Sequence, residues 1–399
     1  MSRFTRALFA FVAFAVLQLA WTGPAYARRY SLTELPQGPD QSLGFARLND
    51  VGQVAGVIGH ISQPERPWNG FVWSRDSGLT DLGEGMGAFS INNAGAVVGR
   101  RYHPQEGHDA FLWTATEGVR LLSSLPGGQP FESPSSTEAV GINDAGQIVG
   151  HIRNDSGTRA FIREPDGVIR YLPMPPGAAT PGGPFAFGIN DRGDVVGRVH
   201  FGDGRYRAFL WPAAGGYHDL GDLPGGLEQG TAVAINNRGE IVGSGLGPAD
   251  PNVPHSAGQQ AVRFFEDGRI IDLGVPVGMS DSSAEDINDL GEVVGGSRYG
   301  SVSATGAILW TADGTMLDLN KLLDDSALGW TLTSADSINN SGQILVSGQF
   351  QGRYAKALLT PVPEPAAVGL LLALLPLVGG RRGCRAGANG GVPEQVSVL

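Results

Sequence analysis

Seven times along the chain an apolar residue is followed by Asn, then Asn or Asp, one variable residue, Gly, and a short aliphatic run that usually ends in Gly. The copies begin at Leu48-Asn49-Asp50, Ile91-Asn92-Asn93, Ile142-Asn143-Asp144, Ile189-Asn190-Asp191, Ile235-Asn236-Asn237, Ile287-Asn288-Asp289 and Ile338-Asn339-Asn340. Equivalent Asn positions lie 43 to 52 residues apart, so one supersecondary unit is repeated along the chain. Each copy continues, after a variable loop, into a second apolar run such as Ala110-Phe111-Leu112-Trp113 or Ala208-Phe209-Leu210-Trp211. A turn such as Pro165-Asp166-Gly167 follows in most copies, then a last apolar stretch such as Tyr217 to Gly221. Each unit thus predicts four short strands separated by turn signals.

The signature segment has the chemistry of a hairpin turn. An Asn opens a type I turn, and the Gly three residues on adopts the left-handed conformation that completes a bulged hairpin. A β-carbon there would be strained, which accounts for Gly52, Gly95, Gly146, Gly193, Gly239, Gly291 and Gly342. Runs such as Val97-Val98 put bulk on both faces of a strand, as sheets covered on both sides require. Blades stacked around a ring have that property. The sequence therefore predicts an all-β, seven-bladed β-propeller built from about seven four-stranded repeats. The seventh copy ends at Ala357-Leu358-Leu359 without a fourth strand, while Tyr30 to Pro36 resembles the fourth-strand segment Tyr217 to Pro224 with nothing before it. The N-terminal strand is expected to complete the last blade and close the ring.

Gly 61, Pro 26 and only 17% charged residues in 399 suit short strands and frequent turns. A net charge of -11 and just two lysines, Lys321 and Lys356, argue against a nucleic-acid partner. The single cysteine, Cys384, lies beyond the repeats, which excludes a catalytic thiol or a cysteine-based metal site within them. Residues 1–27 combine Arg3 and Arg6, an apolar stretch from Ala7 to Trp21, and a small-x-small site at Ala25 and Ala27, the pattern of a cleaved secretory signal.

The other end reads Val362-Pro363-Glu364-Pro365, an apolar segment from Ala366 to Gly380, then Arg381-Arg382. These three parts in this order resemble the PEP-CTERM sorting signal. The resemblance implies an exosortase as processing partner, a precursor held in the inner membrane by the short transmembrane segment, and arginines kept on the cytoplasmic side. The repeat, with Ala-Phe-Leu-Trp beside Ile-Asn-Asp-x-Gly, resembles the extracellular HAF repeat, although the residue before Ala is Asp109, Arg159, Arg207, Gln260, Gly306 or Lys356 instead of His. It implies an exported, surface-associated protein with no defined activity. The expected organisation is a signal peptide (1–27), the repeat propeller (28–361), the sorting signal (362–382) and a tail (383–399).

Candidate chemistry is sparse. The Asn-Asp turns lack the alternating oxygen ligands and closing carboxylate of a calcium loop. The seven His residues share no metal-binding spacing, and neither a Gly-x-Ser-x-Gly elbow nor a phosphate loop occurs. Neighbouring carboxylates such as Glu285-Asp286 and Asp324-Asp325 point to opposite faces of a strand and so form no evident acid–base pair. Trp73, Trp113, Trp211 and Trp310 share one repeat position and belong to the blade core, whereas Trp68 and Trp330 fall outside it and are candidates for sugar stacking. No catalytic residue, cofactor or metal is assigned. The expected function is a non-enzymatic binding or scaffold component of the cell surface or exopolysaccharide matrix, contacting exopolysaccharide or surface proteins through the variable loops Pro104 to Gly107, Ser123 to Thr137 and Gly245 to Gly258. The alternative is a carbohydrate-active enzyme, a glycosidase or lyase, on the same fold.

Overall fold

A computed structural model describes residues 28–363 apart from 104–106, 123–135, 155–156, 179–181, 202–203, 227, 248–257 and 300–301. Most of each sequence-predicted ligand loop, the signal cleavage residues Ala25 and Ala27, and Glu364, Pro365, Arg381 and Arg382 of the sorting signal lie outside the described residues. Among the described residues no helix is long and apolar enough to cross a membrane.

Residues Arg29–Pro361 form one compact unit. It contains seven four-stranded sheets, and within each described hairpin the strands pair antiparallel. The unit is a seven-bladed β-propeller. The innermost strands, which carry the Asn turns at their ends, are Gln41–Leu48, Met86–Ile91, Ser136–Ile142, Pro184–Ile189, Thr231–Ile235, Asp281–Ile287 and Trp330–Ile338, for blades 1 to 7 in turn. The seventh sheet takes its outer strand from the other end of the unit: Arg29–Glu34 pairs beside Arg353–Val362. Tyr30 and Leu35 of this clasp are fully buried, and Leu35 donates its backbone N–H to Lys356 at 2.9 Å.

The core lies between blades. Leu82, Met86 and Ala88 pack with Val72 and Phe111 where blade 1 meets blade 2, and Leu345 and Leu358 of blade 7 pack with Ala46 and Phe71 of blade 1. The residue after the Ala or Gly of the second run is buried at these seams in every copy, as Phe71, Phe111, Phe161 and Phe209 in the first four repeats and Val262, Ile308 and Leu358 in the last three. Trp73 and Trp310 are buried, and Trp113 and Trp211 pack against the same clusters.

The Gly that closes most aliphatic runs has a cause the sequence did not display. Every inner strand carries a β-bulge close to its turn, as between Ala88 and Ser90, Ala186 and Gly188, or Ala284 and Asp286. The bulge drives a carbonyl of the inner strand onto its neighbour. A β-carbon at Gly99, Gly150, Gly197 or Gly295 would stand 1.8 to 2.0 Å from that oxygen. Only Gly admits this approach.

Candidate functional site

The seven turns meet on the propeller axis, where they line one shallow polar depression of about 190 Å³. Each Gly of the turn has positive φ, from 73° to 84°, as a bulged hairpin requires. The first Asn of every copy is 3–7% exposed. Its Oδ1 accepts the backbone N–H four residues on, for example Gln53 N–H to Asn49 at 2.8 Å and Gln147 N–H to Asn143 at 2.8 Å. Its Nδ2 donates to the main-chain carbonyl of the equivalent Asn in the next blade. The donors run from Asn49 to Asn92, then Asn143, Asn190, Asn236, Asn288 and Asn339, and the last returns to Asn49, at 2.9 to 3.2 Å. The second Nδ2 hydrogen goes to the side chain after the turn Gly: Gln53, Gln147, Asp194, Glu240, Glu292 or Gln343. Blade 2 has Ala96 there and lacks the bond.

A second circuit lies outside the first. The backbone N–H of each second motif residue donates to Oδ1 of its counterpart in the next blade, from Asp50 to Asn93 and onward through Asp144, Asp191, Asn237, Asp289 and Asn340 to Asp50, at 2.7 to 2.8 Å. Asn and Asp alternate around it, so Asn amides bridge flanking carboxylates, as Asn340 bridges Asp50 and Asp289. Seven is odd, and the one like pair falls at Asp144 and Asp191. Apart from the second Nδ2 hydrogen of Asn92, both circuits run unbroken through the protein's own groups, which makes these turns a structural closure.

The inner strands behind these turns differ. Two cavities of about 300 and 290 Å³ lie along them at blades 6, 7 and 1, and both are lined by Glu285 and Asp336. Glu285 and Asp336 are bulge residues, skipped as the register passes from Ala284, opposite Gly295, to Asp286, opposite Val294, and from Ala335, opposite Val346, to Ser337, opposite Leu345. A bulge re-aims a side chain that a regular strand would commit to a blade seam. Consequently Glu285 faces the cavities while its neighbour Asp286 is half-buried at the blade 7 seam, where Ser337 Oγ donates to it at 2.6 Å and Ile338 N–H at 3.0 Å. Burial pushes the Asp286 carboxyl above the usual range. Arg47 stacks its guanidinium 4.6 Å from the Phe45 ring centre, and Phe45 meets Phe89 of blade 2 edge to face at 5.8 Å.

Lys356 is 5% exposed and donates to Asp336 at 2.6 Å and to Ser347 at 2.8 Å. Burial alone would raise the Asp336 carboxyl, but the Lys356 charge and three hydroxyl and ammonium bonds hold it below the usual carboxylate range. Ser347 spends its own proton on Asp336 at 2.7 Å. A Ser–Lys nucleophile needs a lysine lone pair facing the hydroxyl. Here Lys356 is the donor in both contacts, so the trio is an ion-pair network.

Sequence-predicted candidates divide. Trp330 stacks on Phe350 with centroids 5.3 Å apart and planes 13° from parallel, while Trp68 is 49% exposed. Asp324 caps a short 3-10 turn by accepting Ser326 N–H at 2.9 Å. Val362 ends the last strand, with Pro363 following. Among the described residues no group of three or more His, Cys, Asp or Glu is placed to hold a metal ion. Sequence reasoning missed Arg47, Asp336, Ser347 and Lys356. Asp336 occupies in blade 7 the place of Glu285 in blade 6, and that alignment was the available signal.

No protein-family model and no curated protein matches the sequence. Among solved structures, the chain is similar to an acylaminoacyl peptidase of Pyrococcus horikoshii, at 10% identity and TM-score 0.48 over 88% of this chain and 55% of that one. It is also similar to a gluconolactonase of Xanthomonas campestris, at 12% identity and TM-score 0.34 over 80% and 99% of the two chains. The chain spans about half the length of the peptidase. At identities this low the likenesses bear on no activity.

Proposed function

We propose that the chain is an exported, non-enzymatic propeller that serves as a binding or scaffold component of the cell surface or exopolysaccharide matrix, sorted by an exosortase, with its ligand held at the cavities of blades 6, 7 and 1. The observation that carries this reading is the contrast between the axial turns and the inner strands behind them. The turns close on one another through two continuous circuits, whereas the strands of blades 6, 7 and 1 present two cavities whose walls differ from blade to blade. The Pro-Glu-Pro segment and the basic, apolar N-terminus support export. The direction of the Lys356 and Ser347 bonds supports binding over nucleophilic catalysis.

The second reading, a glycosidase or lyase, draws on Glu285 and Asp336 sharing both cavities, since two carboxyl groups flanking a sugar are the usual glycosidase machinery. The purified full chain incubated with a panel of exopolysaccharides separates the two: retention without soluble products is expected, and release of oligosaccharides overturns the binding-only reading.

A further inference from the structure

The larger cavity has a wall of unusual hydrogen-bonding polarity. It lies between the inner strands of blades 6 and 7, holds about 300 Å³, and falls at the small end of the roughly 300–1,000 Å³ range of small-molecule sites. Its hydroxyl groups have spent their protons on the protein. Ser283 donates to Glu285 at 3.0 Å, Ser334 to Asp336 at 2.8 Å and Thr333 to the Ser347 carbonyl at 3.2 Å. What these groups offer inward is lone pairs, and the carboxylates of Glu285, Asp336 and Asp281 add only acceptors. Asp336 is neutralised by Lys356, whereas the partner of Glu285 among the described residues is the neutral Ser283 hydroxyl. Arg298, the one cation on this wall, is exposed and turned to Gln259.

An acceptor-rich wall on which Glu285 and Asp281 have only neutral partners among the described residues calls for a ligand rich in donors and carrying positive charge. A single ammonium satisfies at most three acceptors. The acceptors here are spread over two strands, with Ser283 and Glu285 on one and Thr333 and Ser334 on the other. A compact ligand with hydroxyls next to its ammonium meets both sides at once, which a lysine side chain on its bare methylene stem does not. We infer that this cavity binds an amino-sugar unit with a free amine, its ammonium on Glu285 and its hydroxyls on the Ser283, Thr333 and Ser334 oxygens. The inference rests on the glycan-binding reading above and narrows it to one sugar chemistry.

The test is calorimetric titration of the full chain with a glucosamine tetramer, its fully N-acetylated counterpart, a lysine tetrapeptide and calcium chloride. The free-amine sugar is expected to bind at least about tenfold more tightly than the acetylated one, since acetylation removes the charge-assisted bond. Glu285→Gln should cost about tenfold in affinity, and Thr333→Trp, which fills the cavity, should abolish binding, with unchanged melting curves showing that both variants fold. Equal affinity for the two sugars, undiminished binding by both variants, or saturation by calcium or the lysine peptide instead overturns the inference while leaving glycan binding open. Failure to bind either sugar overturns the inference, and failure to retain any exopolysaccharide of the panel overturns the glycan-binding reading as well.

Discussion

At the scale of single residues, Asn and Asp carry different burdens within one motif. The first position needs a donor aimed at the next blade and an acceptor aimed at its own turn, and only an amide supplies both. Asn143→Asp puts an oxygen against the Asn190 carbonyl and Gln147 Oε1, two acceptors, in a site 4% exposed. A loss of roughly 2–4 kcal/mol is expected, read as a melting temperature several degrees lower. The adjacent Asp144→Asn keeps its Oδ1 acceptor and removes one charge from the like pair with Asp191 but gives up the exposed bond from Asn93 Nδ2, so it should cost no more than about 1 kcal/mol. Equal effects of the two changes would refute the division of roles. A pH effect resides elsewhere. Burial would raise Glu138, but its bond to His151 and the charge of Arg100 hold it down to about 2, against 4.5 for a free glutamate. A folded value below the unfolded one stabilises above the unfolded value and loses that contribution as pH falls toward the folded one. Melting temperature should therefore drop between about pH 4.5 and pH 2, and Glu138→Gln should flatten that part of the profile when melting curves are recorded across it.

At the scale of elements, the repeat made the blades legible and concealed the bulges. Turn Gly, paired aliphatic residues and buried aromatics recur at fixed spacing, and each reports a local rule of backbone geometry or strand burial. The inner-strand bulge leaves no such mark, because Phe89, Phe187, Val233, Glu285 and Asp336 share a position and no chemistry. Its indirect trace was the Gly at the end of the aliphatic run, written in the sequence at Gly99, Gly197 and Gly295 but explained only by the carbonyl against it. The candidate cavity was hidden for a related reason. Its walls come from strands some fifty residues apart, and alternation along one strand would have sent Glu285 and Asp286 to opposite seams without exposing either. The Gln, Asp or Glu after the turn Gly was visible in six copies and passed unread, since its partner is a buried amide four residues back.

At the scale of the whole molecule, closure is achieved twice, at the axis by the Asn339 to Asn49 bond and at the rim by the strand Arg29–Glu34. The rim contact buries Tyr30 and Leu35 and adds the Arg353–Glu34 ion pair, so the strand does more than cover an edge. Deleting Tyr30 to Leu35 should lower the melting temperature by roughly 10 °C or more, from the lost burial of two large apolar side chains and a strand's hydrogen bonds. An unchanged melting curve would show that the axial circuits suffice. Those circuits have a sense of rotation: every blade hands its donor forward and receives at its back. Joining of this kind is head to tail, and its rule contains no copy number. A duplicated or deleted blade with the same turn would still find a donor behind it and an acceptor ahead, leaving the wedge angle of the packed seams to fix the count. A lineage of such chains is thus free to gain or lose whole units by recombination, while an array left open would expose one spare donor and one spare acceptor, the two halves of a joint that a second chain can complete.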